Sequence, residues 1–160
     1  MFNALLGAVG GQGESWATMA ASGGTETSYT DGGRREWAVH TFNSSGTLTV
    51  SDAGAGADAG YVKFLVIAGG GSGGTQNGAG GGGAGGYVES TTTAITATTY
   101  TITIGAGGTS AIQGASGTNG VDSSFGSIQT TTGGGRGSLG STYSPDTGDG
   151  GSGGGTNGSG

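Results

Sequence analysis

The stretch YVKFLVIAGGGSGGTQNGAGGGGAGGYVES, residues 61–90, decides how this chain is read. An apolar strand runs directly into Gly69-x-Gly71-x-x-Gly74, the spacing of a dinucleotide-binding turn, and Glu89 stands roughly twenty residues on, where an acidic ribose partner belongs. That turn works only if a helix follows, because the pyrophosphate sits on the helix N-terminus. Here TQNGAGGGGAGG follows, and each glycine costs a helix about 1 kcal/mol relative to alanine. Without a crossover helix there is no βαβ unit, so the glycines after this strand need another explanation.

Working outward, the whole chain has the same character. Of 160 residues, 44 are glycine, while Leu, Ile, Val and Phe together contribute 22. So thin an apolar inventory is a mark of low-complexity chains, but the other mark, high charge density, is missing at 9% charged residues. The glycines keep no strict Gly-X-Y repeat along the chain, which excludes collagen. The basic residues are Arg34, Arg35, Lys63 and Arg136, and a net charge of −6 leaves no stripe able to neutralise a nucleic-acid backbone. There is no cysteine for a disulfide or a thiolate metal site. The N-terminus MFNALLGAVGGQGESWA lacks the basic region of a secretory signal, and no apolar run approaches the roughly 18 residues of a membrane-spanning helix.

The apolar residues that do exist are segregated into runs with strand character. EWAVHTF (36–42) places Trp37 and Val39 on one face, and TLTVS (47–51) alternates Leu48 and Val50 with threonine. The NSSG between them is turn chemistry and predicts a hairpin. YVKFLVIA (61–68) ends apolar on both faces, as a covered strand does; YVES (87–90) and TTYTITI (98–104) follow. β-Branched and aromatic residues dominate, so the predicted class is all-β, a jelly-roll-like β-sandwich with glycine-rich loops. Its expected core is Trp37, Val39, Phe42, Leu48, Val50, Phe64, Val66, Ile102, Ile104 and Phe125.

Ordering a glycine backbone costs about 1–2 kcal/mol per residue, and glycine contributes no side chain to offset it. The remaining resource is the main chain. Glycine segments adopt an extended helix of three residues per turn, and with no Cβ in the way neighbouring helices approach closely enough to exchange N–H···O=C bonds. Residues 69–86 are therefore expected to pack as polyglycine II helices, with glycine wherever one helix faces another. Ser72 and Ala84 are read as outward-facing interruptions, and the tail after Thr147 as flexible linker.

Candidate chemistry is sparse. His40 is the only histidine and lies mid-strand, a position more typical of a surface or packed residue than of a catalytic base. Asp52, Asp58, Asp122, Asp146 and Asp149 read as solvated turn residues, not as a glycosidase pair. DAGAGADAG (52–60) and TGDGG (147–151) lack the acidic spacing of a calcium loop. The expectation is a chain with no catalytic residues, no cofactor and no metal. Near the N-terminus, Phe2, Leu5 and Leu6 would form one apolar patch on a short helix, with Trp16 beyond, as a peptide that docks on a partner protein.

YTDGGRREWAVHTFNSSGTLTV (29–50), YVKFLVIAGGGSGG, GGGGAGGYVES and TYTITIGAGG, taken in order, resemble the glycine-rich domain of bacteriophage tail-fibre and adhesin proteins. The resemblance covers residues 29–137 and implies a virion structural protein, often in a trimeric fibre. On that basis the expected organisation is an N-terminal virion-anchoring segment (1–28), a glycine-rich β-sandwich domain (29–137) and a glycine/serine-rich tail or linker (138–160). The expected partners are other tail or capsid proteins and further copies of the chain. A second expectation is an adhesin whose loop Thr75, Gln76 and Asn77 contacts host glycan or outer-membrane protein; a third is a fibre that decorates the head.

Overall fold

A computed structural model describes residues 2–8, 19–32, 36–55, 59–140 and 150–155. The protein is all-β and β-sandwich-like, with antiparallel strand pairing and no helix among the described residues. The strands are β1 (Phe2–Ala8), β2 (Ala20–Ser22), β3 (Thr25–Thr30), β4 (Glu36–Phe42), β5 (Gly46–Asp52), β6 (Tyr61–Ile67), β7 (Tyr87–Ala94), β8 (Thr99–Thr103), β9 (Ser123–Phe125) and β10 (Gln129–Thr131). The chain divides into two compact units, one comprising residues 1–65 and 89–102, the other 66–88 and 103–160.

The first unit contains the sheet order β3-β4-β1-β6-β7 and, separately, β8-β5-β2. Its core is formed where alternate residues turn inward: His40 and Phe42 of β4, Leu48 and Val50 of β5, Val62 and Phe64 of β6, and Ile102 of β8 are all buried. Val39 is only half-buried, on the opposite face of β4 from His40. That outer face is organised by Trp37. Its indole N–H donates to Asp31 Oδ2 at 3.1 Å, the Tyr29 ring stacks on it at 6.5 Å, and Lys63 Nζ lies 4.7 Å from its centroid.

Two expectations are corrected here. NSSG does not close a hairpin: β4 and β5 belong to different sheets, so the turn carries the chain across the core. Both strands have a buried apolar face, and placing those faces opposite each other buries more than laying the strands side by side. Residues 2–8, read as a helix, form the interior strand β1, in register with β4 from Phe2↔Phe42 to Ala8↔Glu36. Leu5 and Leu6 are consecutive strand positions, and the helical face that would have joined them with Phe2 does not exist. A polar-poor segment of seven residues has little intrinsic helix stability, and two flanking strands satisfy its backbone. Trp16 lies outside the described residues.

The second unit contains the β9-β10 hairpin, whose Phe125, Ser123 and Thr131 are buried, and all the long glycine tracts. Ile104, expected in the core, is half-buried at the start of one such tract.

Candidate functional site: the loop end of a polyglycine array

The glycine tracts are ordered by main-chain hydrogen bonds that recur at every third residue. Segment 68–75 donates from Ala68, Gly71 and Gly74 to the carbonyls of Gly86, Gly83 and Gly80, and from Gly69, Ser72 and Thr75 to those of Val121, Thr118 and Ala115. Its own carbonyls at Gly69, Ser72 and Thr75 accept from Gly134, Gly137 and Gly140. Segment 79–86 donates from Gly80, Gly83 and Gly86 to Ser138, Gly135 and Thr132. These bonds span 2.7–3.1 Å, and a three-residue repeat in which successive N–H groups point to different neighbours is the signature of packed polyglycine II helices. Residues 69–86 are packed as expected.

Glycine is required for this packing at particular atoms. A Cβ on Gly69, Gly71 or Gly74 would overlap the carbonyl oxygens of Ala106, Gly135 or Ser138 respectively. The dinucleotide-like spacing at residues 69–74 is therefore explained by close backbone approach, and the N–H groups of Gly69, Gly71 and Gly74 are already bonded to carbonyls of neighbouring segments.

Several polar side chains belong to the array, and sequence reading missed them. Asp122 Oδ1, Asn119 Oδ1 and Ser116 Oγ, three residues apart, accept the N–H groups of Gly133, Arg136 and Leu139, also three apart, at 2.8, 2.9 and 3.2 Å. Asp122 is thus a structural acceptor although its side chain remains exposed. A signal was present: Gly114, Gly117 and Gly120 and then Gly134, Gly137 and Gly140 keep a local period of three that composition hides. Ser72 also departs from expectation. It does not face outward; its hydroxyl donates to Thr109 O at 2.6 Å and accepts from Thr118 N at 2.9 Å. Ala84 is exposed, as the packing rule requires. Residues 138–140 and 150–155, read as tail, are members of the array: Gly135 N and Ser138 N donate to Ser152 O and Gly155 O.

At one end of the array the loops 75–79 and 111–115 are fastened together, and this is the candidate site. Thr75 Oγ1 lies 3.1 and 3.0 Å from the carbonyls of Ile112 and Ala115 and accepts from the N–H groups of Gly114 and Ala115. Thr75 is consequently occupied as a clamp, and its hydroxyl is committed within the protein. Gln76 and Asn77 are exposed, and Gln76 is the one non-glycine residue with positive φ (77°) among the described residues. A left-handed backbone there costs about 1–2 kcal/mol, held by the Ala79 N–H to Gln76 carbonyl bond and the clamp below. Beside them Ile112 is 79% exposed. The result is a rigidly supported surface of amide side chains around one exposed aliphatic group, with no ionisable side chain in either loop.

A model of the glycine-rich domain matches residues 43–160, from the β4-β5 turn through the whole array. The chain belongs to the glycine-rich domain family. The match includes 150–155, whose hydrogen bonds make them part of this glycine-rich domain rather than an appended tail. No curated protein and no solved structure matches the chain.

Proposed function

We propose that this glycine-rich domain protein is a structural component of a bacteriophage virion, a tail-fibre or tail-associated protein. The observation that carries the reading is the threefold backbone array, because it stiffens a chain whose apolar inventory is small and leaves few charges to attract non-specific partners. Such an element suits a mechanical role in which short loops are held out from a rigid support. The partners in this reading are other virion proteins and further copies of the chain. Immunogold electron microscopy of purified particles with antibody against the chain tests it: labelling along the tail supports the reading, head labelling replaces it with a head-decorating fibre, and unlabelled particles overturn it.

A second reading, host attachment, is favoured by the exposed Gln76 and Asn77 on their Thr75 clamp beside Ile112. Amides and a single aliphatic group are suited to sugar hydroxyls or to an outer-membrane protein loop. Purified chain should then compete with phage adsorption to host cells, and Gln76→Ala/Asn77→Ala should not. Equal competition by both would remove these residues from the contact.

A further inference from the structure

At one end of the first unit two chain crossovers lie together. Residues 23–24 carry the chain from β2 to β3, and residues 43–45 carry it from β4 to β5. Between them is an open cleft of about 450 Å³, lined by Thr25, Thr41, Asn43, Ser44, Ser45 and Thr47 together with Phe42, Gly23, Gly24 and Gly46.

The walls of this cleft are held from below. His40, 1% exposed, donates its Nδ1–H to the Gly23 carbonyl at 2.8 Å, and so fixes a crossover whose glycines have φ of +122° and +67°. A Cβ at Gly24 would come within 3.0 Å of the Phe42 ring, and one at Gly46 within 3.5 Å of its other edge. Glycine at position 24 lets that crossover close down on the ring and on the Thr41 carbonyl, whereas a Cβ at Gly46 would make only ordinary contact. Glycine's freedom explains the base of the cleft but not its rim. There, Ser45 is engaged within the protein, whereas no side-chain hydrogen bond of Thr25, Thr41, Asn43, Ser44 or Thr47 is found among the described residues. No ionisable side chain lines the cleft; Glu26 follows Thr25 along β3, and the His40 ring is buried and bonded to backbone.

We propose that this cleft binds a neutral, hydroxyl-rich ligand, namely a sugar residue of a surface glycan. Each sugar hydroxyl both donates and accepts, and threonine, serine and asparagine side chains offer the same pair of roles. The volume falls within the roughly 300–1,000 Å³ of small-ligand sites. A phosphate or an acidic sugar finds no cation here, and meets a chain of net charge −6. The site is on a different unit from the Gln76 loop, so the inference stands whether or not that loop contacts a host.

The test is a ¹⁵N–¹H titration of the full chain with glucose, galactose and N-acetylglucosamine, and separately with galacturonate. At least one neutral sugar should give saturable shifts in the amides of residues 23–25 and 41–47, and Asn43→Ala or Ser44→Ala should weaken binding about three- to tenfold. Both positions are exposed turn residues, and the rest of the spectrum reports whether either variant keeps its fold. The proposal is overturned if no neutral sugar shifts these amides at about 50 mM, well above a millimolar dissociation constant. It is equally overturned if both variants bind like the parent, if the shifts centre on 76–78, or if galacturonate binds as tightly.

Discussion

If main-chain packing is what orders the glycine tracts, two chemically identical substitutions in them must have opposite effects. At Gly71 an added Cβ would overlap the Gly135 carbonyl, with its carbon at 2.6 Å and the Gly134 oxygen at 2.8 Å. These obstacles are backbone atoms, themselves tied by the Gly83 N–H to Gly135 O and Gly134 N–H to Gly69 O bonds, so no side chain can rotate away. Forcing the segments apart costs about 1–3 kcal/mol as overpacking. Loss of the Gly71 N–H to Gly83 O bond adds about 1 kcal/mol. Against this, alanine restricts the unfolded chain and returns about 0.4–1 kcal/mol. The net expectation for Gly71→Ala is a destabilisation of about 1–4 kcal/mol. At Gly81 a Cβ meets nothing within 4 Å and φ is not positive, so only the unfolded-state gain remains and Gly81→Ala should stabilise by about 0.4–1 kcal/mol. Amide exchange at Gly83, Gly134 and Gly137 is the assay, because it reports on the array itself, whereas tryptophan fluorescence would follow Trp37 in the other unit. In Gly71→Ala, protection at these amides should fall by about one order of magnitude or more; in Gly81→Ala it should hold or rise. Equal exchange in the two variants would refute main-chain packing as the source of order.

Other predictions follow from the same structure. Ser72→Ala removes the bridge from Thr109 O to Thr118 N and should cost about 1 kcal/mol, read as faster exchange of the Thr118 amide, with the Thr75 clamp unaffected. Asp122→Ala should expose Gly133 N–H to exchange by about fivefold, while Asp122→Asn, which keeps a carbonyl acceptor, should stay close to the parent. His40→Ala leaves a cavity under the crossover and an unpaired Gly23 carbonyl, for about 2–4 kcal/mol of destabilisation, followed by urea unfolding monitored at the Trp37 indole N–H. His40→Ala that unfolds at the same urea concentration as the parent would show that Gly23 is held by something else.

The sequence by itself determined the class and most of the central strands. Alternation in 36–42 and 47–51 and the doubly apolar run 61–68 leave little choice but a sheet, and helix was excluded wherever glycine is dense. Close packing of 69–86 was also legible, since ordered glycine has only its backbone to bond with. What lay beyond the sequence was partner choice. β3, TETSYT, is exposed throughout and has no apolar period; it exists because β4 satisfies its backbone. β1 became an interior strand for the same reason, and NSSG joined two sheets instead of two neighbours because the buried faces of β4 and β5 had to meet across a core. Within the array, each glycine allows close approach, but which carbonyl approaches it is fixed by segments far along the chain. Ser72 and Asp122 therefore read as outward-facing or solvated residues, yet their side chains, like that of Asn119, hydrogen-bond backbone of neighbouring segments while staying at least partly exposed. Side-chain periodicity specifies which face of a segment is apolar, whereas a peptide group carries no identity of its own, and only the tertiary structure assigns it a partner.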